Sequence, residues 1–128
     1  MPKQTAAKGP SQRQLRVGEV IRHALAEMFM RTEIVDPELD GEIVQVTEVK
    51  ASPDLRQVTA FVSPLDMTAR DKVLAALVRN QKFVRGALAK RIDLRYVPEI
   101  TFKLDVTLDQ AEKVEKILRS PHVARDLQ

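Results

Sequence analysis

The sequence predicts an α+β domain in which a three-stranded mixed sheet carries its helices on one face. Three observations predict it. Apolar residues recur at helical spacing before and after two β-branched runs, IVQVTEVK and LRQVTAFVS, which a short turn joins. A third run, Ile100 to Val106, alternates apolar and polar residues but comes only after two more helical stretches. A strand, then helices, then a strand implies a right-handed crossover, which sets the third strand parallel to the second. Three strands cannot bury both faces alone, so the helices pack on one side. The predicted order is α-β-β-α-α-β-α.

Each element has its own signal. Residues 1–10 are polar, with Pro2, Gly9 and Pro10, and read as a flexible N-terminal arm. Ser11 and Gln14 form an S-x-x-Q capping box, so a helix starts there and runs to about Arg31. Its apolar stripe is Leu15, Val17, Val20, Ile21, Ala24, Leu25, Met28 and Phe29. Gly18 inside this helix is costly unless another backbone packs close to it. Asp36-Pro37-Glu38-Leu39-Asp40-Gly41 is a loop. Strands follow at Ile43–Lys50 and Leu55–Ser63, with Ala51-Ser52-Pro53-Asp54 as the turn of an antiparallel hairpin.

Thr68 and Asp71 signal the next helix, with a stripe of Val73, Leu74, Leu77 and Val78. A second stripe, Phe83, Val84, Ala87, Leu88 and Ile92, is displaced around the helix from the first. No strong breaker separates them, so either one long helix bends at Asn80, Gln81 and Lys82 or two helices meet there at a short junction, and the kink is the favoured reading. Pro98 stands at the start of the third strand, where a missing N–H does little harm. Asp105 or Thr107 can cap a final helix carrying Leu108, Ala111, Val114, Ile117 and Leu118. The domain is thus expected over 11–119, with a short tail over 120–128.

The chain has 128 residues, 44% hydrophobic and 30% charged, with no cysteine, no tryptophan and one tyrosine. This is the profile of a single globular domain with an aliphatic core. The absence of cysteine excludes disulfides, a thiol nucleophile and Cys-ligated zinc. No apolar run approaches the roughly 20 residues of a membrane span, and no secretory signal opens the chain, so a cytoplasmic location is expected. His23 and His122, the two histidines, have no second ligand at metal-binding spacing. Asp36 to Gly41 resembles the opening of a calcium loop, but Thr47 stands where a bidentate acid belongs. No phosphate-cradling glycine loop and no nucleophile turn is present, so neither enzyme activity nor a cofactor is expected.

The charge distribution is more informative than the net +3. Between Arg79 and Arg95 the bases Arg79, Lys82, Arg85, Lys90, Arg91 and Arg95 face one acid, Asp93. Such segregation suits a polyanion, and guanidiniums near a helix N-terminus suit phosphate oxygens. A solvated helix face is the plainer meaning of a charge run. A helix-turn-helix would also carry bases on helices, but that fold is all-helical and three strands argue against it. Base stacking on the sheet is poorly served, because Phe61 and Phe102 are the only strand aromatics and Phe102 is on the apolar face.

Three stretches carry a resemblance. RTEIVDP at Arg31 to Pro37, SPDL at Ser52 to Leu55, and RIDLRYVPEITFKLD at Arg91 to Asp105 are similar to the bacterial ribosome-binding factor A family. The resemblance implies a type II KH fold, α-β-β-α-α-β. It also implies binding to the small (30S) ribosomal subunit, help in late maturation and 5′-end processing of 16S rRNA, and a role in growth in the cold. The family acts without catalysis, as a monomer here by expectation, and an assembly GTPase is linked to its release. In that family Ala-x-Gly marks a kink that replaces the usual KH glycine loop. Asn80, Gln81 and Lys82 stand at those positions here, without glycine and with an added charge. Arg16, Arg85, Lys90 and Arg95 match the family's basic pattern. With Arg79, Lys82 and Arg91 they make up the expected RNA-binding set.

Overall fold

The computed structural model describes residues 9–106. The expected final helix and tail, and residues 1–8 of the arm, lie outside the described residues.

Helix α1 (Gln12–Met30) opens on the expected capping box. The Ser11 hydroxyl oxygen accepts from the Gln14 N–H at 3.1 Å, and Gln14 Oε1 accepts from the Ser11 N–H at 2.8 Å. Its buried strip is Val17, Gly18, Ile21, Ala24, Leu25 and Met28. Leu15 and Val20, expected in that strip, are 51% and 40% exposed, because the sheet covers a narrower face than the sequence pattern offers. Gly18 shows why. A β-carbon there would collide with the Val49 carbonyl oxygen, so helix and strand touch backbone to backbone. The helix ends in a Schellman arrangement, with Thr32 N–H donating to Phe29 O and Glu33 N–H to Met28 O. Thr32 holds the left-handed position at φ 51°, which glycine usually fills.

Strands β1 (Val44–Ala51) and β2 (Gln57–Pro64) pair antiparallel. The turn is longer than expected and β2 begins later, because Leu55 adopts φ 62° and Arg56 completes the loop. Asp54 Oδ1 accepts from the Ser52 hydroxyl and the Arg56 N–H, which lowers its pKa. Val46 faces Val62 while Glu48 faces Phe61, so Thr47 is the extra residue of a bulge. The bulge lets Val46 and Val49, three apart, both face the helices.

A turn of 3-10 helix at Met67–Ala69 leads into α2 (Arg70–Arg79). Its cap is Asp66, which accepts from the Thr68 N–H and hydroxyl, rather than the expected Thr68 and Asp71. Helix α3 (Gln81–Arg91) follows after one residue, and β3 (Glu99–Leu104) completes the sheet. The strand order is β1-β2-β3, with β3 parallel to β2 and Ile100 beside Val58. Val46, Val49, Val58, Ala60, Val62, Ile100 and Phe102 share one face and form the core with α1, Val73 and Leu77 of α2, and Val84 and Leu88 of α3. Pro98 is fully buried just before β3. The other face of the sheet carries Lys50, Phe61, Thr101 and Lys103, with the Lys50 ammonium 5.5 Å from the Phe61 ring centre.

Candidate nucleic-acid interface

The junction between α2 and α3 is a single residue. Asn80 leaves helical geometry at φ −103° and ψ 13°, yet its N–H still donates to Ala76 O and Leu77 O and its carbonyl accepts from the Val84 N–H. Its amide nitrogen donates to Ala76 O at 2.7 Å and to Asp36 Oδ2 at 2.9 Å. The side chain thus holds the bend without glycine, by tying the helix end to the loop after α1. Gln81 and Lys82, expected within the kink, already belong to the first turn of α3.

The cations of this region fall into two sets. Arg79 pairs with Asp36 through two bonds, Nη2 to Oδ1 at 2.8 Å and Nε to Oδ2 at 3.2 Å. Asp36 is 9% exposed, and the Arg79 guanidinium beside it lowers its pKa from 3.8 to about 2, with the Glu38 N–H and Asn80 adding to the effect. Arg91 bonds Glu27 of α1 at 3.0 Å and also Glu33. Arg85 donates twice to the Val97 carbonyl, at 3.1 and 2.8 Å. Arg85 and Arg91, both in the expected RNA-binding set, thus donate to the protein itself. Their planar, multi-donor groups found oxygen acceptors within the fold.

Lys82, Lys90 and Arg95 are exposed and have no hydrogen bond or ion pair among the described residues. Arg16, on the exposed side of α1, is likewise without a described partner and stands apart on a different helix. Lys82, Gly86 and Lys90 recur every fourth residue and line one shallow groove together with Phe83, which is 50% exposed, Ala87 and the Arg91–Glu33 ion pair. The two lysines are about 12 Å apart along the axis by helical rise. A β-carbon on Gly86 would meet nothing within 4 Å. No packing among the described residues therefore explains a glycine there, although it costs about 1 kcal/mol relative to alanine in a helix. The groove offers bare backbone between two mobile ammonium groups. It can take a phosphate chain at close range.

The sequence reading did not place Gly86 or the acids Glu27, Glu33 and Asp36 at this site, and met Asp36 only as the start of a loop. Gly86 had a signal, an isolated glycine within a helical pattern. The acids had none, since they pair with bases 43 to 64 positions away.

Six elements in this order, with a parallel β2–β3 pair and helices on one face, define a KH-like domain of type II. The family Ribosome-binding factor A matches residues 13–118. Ribosome-binding factor A of Bradyrhizobium sp. (strain ORS 278) is 50% identical over 123 residues, covering 96% of this chain and 89% of the relative. The crystal structure of ribosome-binding factor A from Thermus thermophilus superposes with a TM-score of 0.57 at 27% identity, covering 71% of this chain and 94% of that one. Thermus thermophilus ribosome binding factor A as fitted into a cryo-EM map of a 30S–RbfA complex gives a TM-score of 0.54 at 25% identity, covering 69% and 90%. The chain belongs to the ribosome-binding factor A family.

Proposed function

We propose that this protein binds the free small ribosomal subunit through the α3 groove and assists the late maturation and 5′-end processing of 16S rRNA. The observation that carries the reading is the pair of unpartnered lysines, Lys82 and Lys90, flanking the bare backbone of Gly86. Arg95, a further exposed base, follows the end of α3 in the chain. The fit of a related protein into a 30S complex supports the subunit as partner. The protein acts in the cytoplasm as a monomer and without catalysis, by holding rRNA in a conformation rather than by cutting it. It serves growth in the cold, and an assembly GTPase releases it.

Sedimentation with free small subunits at stepped salt tests this. Co-migration fades as salt rises, because each phosphate contact releases counterions. The variant Lys82→Glu with Lys90→Glu loses binding by at least about 100-fold, while its thermal midpoint moves little, since exposed charges contribute about 0–1 kcal/mol to folding. Absence of co-migration at low salt overturns the reading.

A second reading, a KH-like module for protein contact, is favoured by one observation. Met30, Val35 and Ile43 are 78%, 87% and 62% exposed and line a groove between α1 and β1. Binding through that groove would persist as salt rises, and the double lysine variant would retain it.

A further inference from the structure

We propose that Tyr96, with Arg56 and Arg85 beside it, is a stacking site for one unpaired nucleobase of the bound RNA. The inference rests on the reading that the partner is RNA, and adds a base contact to a surface so far made of phosphate contacts. Tyr96 is 46% exposed, although the segment that carries it is anchored on both sides. Leu94 and Val97 pack against the core and Pro98 is fully buried. The Glu99 N–H donates to the Arg56 carbonyl at 2.9 Å, so the hairpin turn is held against the same corner.

Two guanidiniums stand over the ring. That of Arg85 is 5.4 Å from the ring centre and that of Arg56 is 5.8 Å. They are held differently. Arg85 is immobilised by its two bonds to the Val97 carbonyl. The Arg56 guanidinium has no hydrogen bond or salt bridge among the described residues. The nearby acid of the turn, Asp54, already accepts from Ser52 and from the Arg56 main chain.

This is an exposed aromatic ring with one cation held by hydrogen bonds and one that lies over the ring without them. Unpaired bases stack on such rings and on guanidinium planes, and the interaction outweighs an exposed cation–π contact. A base takes the position Arg56 covers, and Arg56 swings to the phosphate that follows. Arg85 joins the corner to the groove, because it lies three residues beyond Lys82 on α3.

The chain has one tyrosine and no tryptophan, so its ultraviolet emission reports on position 96 alone. The probes are a short single-stranded oligoadenylate and an abasic ribose-phosphate chain of the same length. The oligoadenylate quenches the emission and the abasic chain does not. Tyr96→Leu, shown folded by circular dichroism, loses roughly tenfold in affinity for the oligoadenylate and none for the abasic chain. Tyr96→Phe retains the affinity of the unaltered protein, which separates stacking from a role of the hydroxyl. Equal binding of both probes, or an equal loss for both in Tyr96→Leu, overturns the stacking site and leaves the lysine groove standing. Failure of the unaltered protein to bind either probe at low salt removes the RNA reading as well.

Discussion

Arg79 of α2 and Arg91 of α3 carry the same charge as Lys82 and Lys90 of α3, and do different things. The arginines are fastened to Asp36, Glu27 and Glu33, and so pin the loop after α1 to the helix pair. The lysines reach no acid among the described residues and line an open groove, which the paired Arg91 and Glu33 line as well. A guanidinium is a planar fork that matches a carboxylate, whereas an ammonium on a flexible stem keeps its water. The difference teaches that a run of bases is not one surface. Part of it holds the protein together, and the remainder is available to a ligand.

Arg85 is where the division is tested most severely. Its guanidinium satisfies the Val97 carbonyl, so Arg85→Ala lowers stability by about 2 kcal/mol in urea titrations. Unchanged stability would place Arg85 with the open cations. Gly86→Ala sharpens the other side of the comparison. The β-carbon enters open space, so the helix gains up to about 1 kcal/mol while affinity for the small subunit falls several-fold. A gain in stability with no change in affinity means that nothing approaches the groove closely.

The smallest effect concerns Asp36 and pH. Its pKa is lowered to about 2 from 3.8, chiefly by Arg79, so the stability it contributes is complete above pH 3.8 and is lost as pH falls towards 2. Asp36→Asn therefore flattens the fall of the thermal midpoint across that window. A melting profile as steep as that of the unaltered protein would show that the Arg79 pair contributes nothing.

Most of the fold was legible because it is local. The capping box at Ser11 and Gln14, the alternation from Ile100 to Leu104 and the crossover rule are properties of short segments or of their order. Even the close contact at Gly18 had a sign, a glycine where a helix would prefer almost anything else. The candidate site was legible in part. Lys82, Lys90 and Arg95 are exposed, as a charge run leads one to expect. Arg79, Arg85 and Arg91 could not be sorted from them, because their partners come from the loop after α1, from α1 itself and from the segment before β3. Long-range pairing of this kind leaves no periodicity behind.

The parallel pairing of β2 with β3 has a consequence for how the native state is reached. Strands β1 and β2 can pair across a short turn. Ile100 and Phe102 reach Val58 and Ala60 only after the chain has closed a long loop through both middle helices. That entropy is lost before the contact returns anything, so pairing of β3 is slower than closure of the hairpin.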